Sequence, residues 1–283
     1  MRSINTLRKI RRFVARSLIH WKPGPAYRYR AGDVVIEDFA EFSGIPLHVV
    51  TEKVANFHRI NAEDWKALEA GSFSERAAGF YQSSQNFVFG ILSANPNPDA
   101  VIKKLDRFNP RILQAIRTHP GKRFFEFGGG IGVFCEIAAR MGKHVYYMEL
   151  PGIVFQFAQW RFLKLGLNVN AIEAKAGEIC LPDKYDIVYT DAVIEHLPQG
   201  LQIEATKAMA QAVDKDGLLI FLVDLSGPSE EDPMHHEVHI KELHDQLRSA
   251  GLCCEDGYHT FCSIWRRPSG RQSDDVRTTV IKR

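Results

Sequence analysis

The rhythm of hydrophobic and polar positions changes twice along this 283-residue chain. Near its start Ile4, Leu7, Ile10, Val14 and Leu18 recur at roughly helical spacing with arginines on the other face, and Pro23, Gly24 and Pro25 stop any such helix. Residues 33–120 keep a helical rhythm in shorter pieces: Val49, Val50, Val54 and Phe57, then Trp65 and Leu68, then Phe80, Phe87 and Ile91, with an Asn-Pro-Asn-Pro turn at 95–98. That pattern predicts several short helices and little sheet.

From 121 to 267 the pattern alternates. Apolar runs of β type at 123–127, 145–148, 169–172, 187–190, 218–223, 253–257 and 260–265 are separated by helix-like stretches at 133–141, 155–165, 201–213 and 241–250, the last capped by Gly251. Strands alternating with helices of 10–15 residues mean βαβ units and an α/β fold: a doubly wound, mostly parallel, Rossmann-like sheet of seven strands behind an N-terminal helical region. The last two strands are joined by a tight turn and predict an antiparallel hairpin at one edge. Residues 268–283 are polar and without periodicity, and read as a mobile tail.

Composition changes this picture in two places. The net charge of +2 hides an asymmetry: residues 1–32 carry nine basic and no acidic side chains, so the remaining 251 carry −7. A uniformly basic nucleic-acid binder is therefore not expected. Five cysteines (Cys135, Cys180, Cys253, Cys254, Cys262) form no CxxC pair, which argues against a disulfide framework or zinc ribbon and suits a reducing, cytoplasmic interior. The longest uncharged run, 77–98, is too rich in Gln, Ser and Asn to span a bilayer, and the first thirty residues lack the continuous apolar stretch of a secretory signal.

The chemistry concentrates at 124–134, Phe-Phe-Glu-Phe-Gly-Gly-Gly-Ile-Gly-Val-Phe. A strand runs into glycines and a helix follows, a turn that lets a ligand approach the backbone at a helix N-terminus. A phosphate loop would need Gly-Lys-Ser/Thr where Ile131, Gly132 and Val133 stand, and a dinucleotide loop would place its third glycine on Val133. An acidic-x-Gly-x-Gly-x-Gly pattern is filled completely by Glu126, Gly128, Gly130 and Gly132. An anion at Glu126 repels pyrophosphate but suits a ligand bearing an amino group.

Over residues 121–265 the chain resembles the class I S-adenosylmethionine-dependent methyltransferases. The resemblance rests on the glycine loop, on Glu149 followed by Leu150 at the end of the second strand, on the 176–182 loop containing Glu178, on the 185–198 stretch from Tyr185 to Pro198, and on Asp216-Gly217 before the fifth strand. It implies S-adenosylmethionine as cofactor, bound by Glu126, Gly128, Gly130, Gly132, Glu149, Leu150, Glu178 and Asp191, with Glu149 on the ribose hydroxyls and Glu178 at the adenine.

Methyl transfer needs the acceptor held against the methyl carbon and, for a hydroxyl or protonated amine, a group that takes its proton. Such groups belong at the carboxyl ends of the strands. Asp191 and His196 follow the fourth strand and His236 the fifth, and these three are the catalytic candidates; His196 reads equally as a histidine that only orders its loop. Glu195 reads as a helix-start charge or a catalytic group. Some relatives hold a divalent metal with Glu-x-x-Glu-His, but the first of those positions is Ala192 here, so no metal ligands are assigned. Tyr81, Asn86 and His235 are expected to line the substrate side, with 33–120 acting as a lid.

The leading expectation is methyl transfer to an oxygen or nitrogen of a small molecule. A non-catalytic cofactor-binding partner subunit and a protein or RNA methyltransferase are the alternatives; the acidic body and the lack of an Asn/Asp-Pro-Pro-Tyr motif after strand four weigh against the last. Three readings of the leader stay open: peripheral membrane contact through residues 1–20, an organelle transit peptide, or a solvated extension, the default. Oligomeric state is not readable.

Overall fold

The computed structural model describes residues 34–68 and 72–269. The basic leader and the polar tail beyond 269 lie outside the described residues. Seven described helices precede the first strand: α1 (Val34–Ser43), α2 (Leu47–Ala55), α3 (Phe57–Ala67), α4 (Phe73–Ser83), α5 (Phe87–Ala94), α6 (Pro98–Phe108) and α7 (Arg111–Thr118). Their starts follow local chemistry. Ser72 and Glu75 form a reciprocal capping box on α4. The Asn-Pro-Asn-Pro turn becomes the entry of α6, where Asn97 accepts the Ala100 N–H at 2.8 Å and Pro98 needs no donor.

The sheet consists of β1 (Arg123–Phe127), β2 (His144–Glu149), β3 (Val169–Glu173), β4 (Tyr185–Asp191), β5 (Val213–Leu222), β6 (Cys253–Asp256) and β7 (Cys262–Arg266) in the order β3-β2-β1-β4-β5-β7-β6. β1 to β5 run parallel to one another; β7 runs antiparallel between β5 and β6, the edge hairpin that the sequence predicts. Helices α8 (Val133–Arg140), α9 (Ile153–Lys164), α10 (Gln199–Ala212) and α11 (Ile240–Ser249) connect the strands.

Alternation along the strands sends Phe124, Tyr147, Tyr189 and Ile220 into a core shared with α1, α5–α7, α8 and α9, and Phe125, Val188, Phe221 and Trp265 into one under α10 and α11. Both faces are covered, so the strands read as near-continuous apolar runs. A buried ionic network fixes the helical region to the first core. Arg161 on α9, 1% exposed, reaches Asp38 on α1 at 2.9 Å and Glu136 on α8 at 2.7 Å, and Lys164 reaches Asp38 at 2.7 Å. Among the described residues no helix is long and apolar enough to cross a membrane.

Candidate active site

Strand order reverses about β1, between β2 and β4, and a crevice opens at the carboxyl ends of the strands there. The glycine loop crosses it with left-handed φ at Gly128 (68°), Gly130 (52°) and Gly132 (73°). A Cβ on Gly128 would strike Val193, on Gly129 Tyr147 and on Gly132 Phe162, so the protein's own packing demands those three glycines. Gly130 differs: its Cβ would only touch Ile91, at 3.4 Å, but its backbone N–H donates to Glu149 Oε2 at 2.8 Å. The Leu150 N–H donates to Glu149 Oε1 at 2.7 Å, and the Tyr147 hydroxyl donates to the Gly130 carbonyl at 2.6 Å. The carboxylate that closes β2 is thereby locked beside the loop, and burial raises its pKa.

Glu126 lies buried on the other side of the loop, accepting the Cys135 thiol at 2.8 Å. Burial, joined by the neighbouring Asp191 and Glu149 carboxyls, pushes its pKa up to about 8. Asp191, the last residue of β4, pairs with Lys104 of α6 at 2.9 Å and accepts the Tyr189 hydroxyl at 3.3 Å.

These groups line one cavity of about 510 Å³. Its strand side holds Glu126, Gly128, Gly130, Glu149, Leu150, Glu178 and Asp191; its roof comes from α3–α6 through Asn61, Tyr81, Phe87, Ile91 and Lys104. Beyond β4 the chain turns at Ala192, whose φ of 57° is unusual for a residue with a Cβ. It then enters the 3-10 turn Ile194–His196, which brings Glu195 and His196 to the cavity. His196 Nδ1 lies 2.6 Å from the Tyr81 hydroxyl, with the rings of Phe87 and His235 packed against it. Burial and the nearby His235 and His236 imidazoles lower the His196 pKa to about 3, which keeps the ring neutral.

Several expectations meet a different geometry. His236 does not line the cavity; its ring packs edge-on against Phe73 and borders a separate, smaller groove. Asn86 does not line it either, because its amide is held by Asp64 at 3.0 Å and Lys53 at 3.2 Å. Gly132 caps α8 and packs on Phe162. Glu178 reaches the rim but is exposed, beside Lys175 at 3.6 Å. Glu195 sits in the first turn of the 3-10 helix Ile194–His196, ahead of α10, and is buried there. Asn61, Lys104, Asp224 and Asp232 also line the cavity and were not singled out from sequence. Asp224, two residues past β5, could have been found from the rule that sites form at strand ends; Asn61 on a roof helix carries no such signal.

A β3-β2-β1-β4-β5-β7-β6 sheet, a glycine loop after β1 and a carboxylate closing β2 define the Rossmann-like, S-adenosylmethionine-dependent class of methyltransferases. A family model described as a methyltransferase domain matches residues 99–269, more than half of the chain, and the chain belongs to that family. Its cofactor is S-adenosylmethionine. Among curated proteins the ubiquinone biosynthesis O-methyltransferase of Burkholderia thailandensis is 33% identical over 130 residues, 44% of this chain and 55% of that one. The same enzyme of Paraburkholderia phytofirmans is 32% identical over 121 residues, 41% and 52% of the two chains. The chain spans about half the length of these curated relatives. In structure it is similar to an O-methyltransferase family protein of Burkholderia thailandensis, with a TM-score of 0.52 and 16% identity over 77% of this chain and 72% of that one, which shows the fold.

The residues in place fit this cofactor. Three acidic side chains, Glu126, Glu149 and Asp191, meet at the glycine loop, and Lys104 pairs only with Asp191 among them. A ligand carrying an ammonium and a sulfonium relieves that repulsion, whereas a pyrophosphate would add to it.

Proposed function

We propose that this protein transfers a methyl group from S-adenosylmethionine to a hydroxyl oxygen of a small, ring-bearing molecule. The observation that carries this reading is the Tyr81–His196 pair, 2.6 Å apart, at the end of the cavity beyond the glycine loop and beside Phe87. Mostly apolar walls carrying the Phe87 ring, with a fixed polar edge, suit an aromatic or cyclic acceptor with an oxygen substituent. The curated relatives are named as O-methyltransferases, which supports oxygen over nitrogen.

In this reading Glu149 takes the ribose hydroxyls, Leu150 and Glu178 border the adenine, and Glu126 with the loop from Gly128 to Gly132 faces the amino-acid end. The bound cofactor supplies an electrophilic methyl carbon on its sulfonium. Asp191, kept in place by Lys104, borders the reacting end. Tyr81 orients the neutral His196 ring, and the ring positions the acceptor oxygen; His235 lines the same end. Helices α3–α5 act as the lid that excludes water and selects the acceptor.

A second reading, methylation of an amine, is favoured by Asp224 and Asp232, two carboxyls lining the cavity. One experiment separates the two: turnover of S-adenosylmethionine against a metabolite extract, with mass detection of compounds that gain one CH₂ and fragmentation to place it. Gain on a hydroxyl is expected. Gain on nitrogen supports the second reading, and no gain in any fraction argues for a cofactor-binding subunit without turnover. Repeating the assay with a chelator tests metal dependence: unchanged turnover is expected, because Ala192 stands where a ligand would be needed.

A further inference from the structure

A buried polar atom without a partner is costly unless something completes it. Among the described residues Glu195 Oε2 and His235 Nδ1 are two such atoms, and both residues line the cavity. Glu195 is 1% exposed and His235 7%. Glu195 is firmly held: its Oε1 accepts the Asp224 N–H at 3.2 Å and its main-chain carbonyl accepts the His236 N–H at 2.7 Å, which leaves Oε2 as the open valence.

Asp191, His196, Asp224 and Asp232 also line the cavity, but none of them presents a fully buried oxygen or nitrogen without a partner. Asp191 Oδ2 takes both Lys104 and the Tyr189 hydroxyl. His196 has Nδ1 on the Tyr81 hydroxyl. His236 faces Phe73 outside the cavity.

We propose that Glu195 is the proton acceptor of the transfer, its free Oε2 receiving the hydrogen of the attacking hydroxyl while His235 Nδ1 takes a second polar group of the same molecule. This deepens the hydroxyl-acceptor reading above and rests on it. As the acceptor oxygen forms its bond to the methyl carbon, the carbon–sulfur bond breaks with its electron pair going to sulfur. The hydroxyl proton moves to Glu195 Oε2 and leaves to solvent after release of the product. The substrate class follows: a hydroxylated compound with a second hydrogen-bonding substituent near the first.

The ionisable groups around Glu195 come from each element packed against it: Tyr81 on α4, Asp191 at the end of β4, His196 beside it, Asp224 after β5, and Asp232 and His235 in the loop that follows. Burial, assisted by Asp224 and Asp191, raises its pKa to about 8, so the ionised form that accepts the proton grows as pH rises toward 8, and turnover should rise with it.

The test uses the whole chain with S-adenosylhomocysteine bound and phenol, catechol and benzylamine as probes, read by infrared difference spectroscopy of carboxyl bands. A protonated-carboxyl band that is absent in Glu195→Gln is expected. It should titrate near pH 8 and shift with catechol, more weakly with phenol and not with benzylamine. Turnover of S-adenosylmethionine with catechol should fall about 100-fold in Glu195→Gln while S-adenosylhomocysteine affinity changes less than about 2-fold. Glu195→Asp, which keeps a carboxyl and folds under milder constraint, should retain the pH profile at reduced rate. No band shift with any probe, or turnover in Glu195→Gln equal to the parent, overturns the proposal. Failure of the unsubstituted chain to bind S-adenosylhomocysteine is a separate result, and overturns the cofactor reading beneath it.

Discussion

Glu149 is oriented before any ligand arrives, because the Gly130 and Leu150 N–H groups each hold one of its oxygens. Glu149→Ala is therefore expected to lower S-adenosylmethionine affinity at least about tenfold, the order that hydrogen bonds to a charged group contribute, in a calorimetric titration. Tyr81→Phe removes the partner of His196 Nδ1 and leaves a buried ring nitrogen unsatisfied. Turnover should drop about 10- to 100-fold with cofactor affinity unchanged, a split that steady-state kinetics and calorimetry read together. The buried carboxyls also predict a pH dependence. Burial raises Glu126 and Glu195 to about 8 from a usual value of 4.5. The folded state thus binds more protons than the unfolded chain between those values, so the stability they contribute is present at acid pH and lost as pH rises through 8. Glu195→Gln should flatten that loss, seen as a smaller fall in Tm between pH 5 and 9. What the sequence revealed at this scale was what covalent order fixes: Glu126 and Glu149 lie where a strand ends. Asn86 and His236 were misplaced because the direction of a side chain on a helix or loop depends on neighbours such as Asp64 and Phe73, far away in the chain.

The inner strands β1, β2, β4 and β5 were readable from the sequence because each carries a short apolar run bounded by turns, as a parallel sheet buried on both faces requires, whereas β3 and β6 are half-exposed edges. Their ends shifted where polar residues join the ladder: β5 begins at Val213, well before the apolar run at 218, with Asp216 in a left-handed turn between. The seven roof helices were foreseen as a class but not one by one. Least visible was the Arg161 network, since a charged residue in α9 reads as solvated until Asp38 and Glu136 close around it. Asp38→Ala leaves Arg161 buried with part of its charge unpaired and detaches α1. About 3 kcal/mol of lost stability in urea unfolding is expected, with the glycine loop unaffected. Gly132→Ala acts at another joint: φ of 73° and the ring of Phe162 oppose a Cβ at the start of α8. It should destabilise the chain by about 1–3 kcal/mol by the same measurement.

At the scale of the molecule, the helical region and the sheet share a core, and the cavity lies where they meet. The sheet supplies the acidic groups and the glycine loop, and the helices supply the roof that would choose an acceptor. Residues 33–269, which contain this site, carry a net charge of −9, which weighs against an anionic macromolecule as acceptor. The basic leader lies outside the described residues. The central claim is that the cavity at the β1–β4 switch point is built for S-adenosylmethionine, and calorimetric titration of the whole chain with that cofactor tests it most directly. Stoichiometric binding with a dissociation constant of about micromolar order, lost in Glu149→Ala and in Gly130→Arg, is the predicted result. No binding by the unsubstituted chain, or equal binding by both variants, would contradict it.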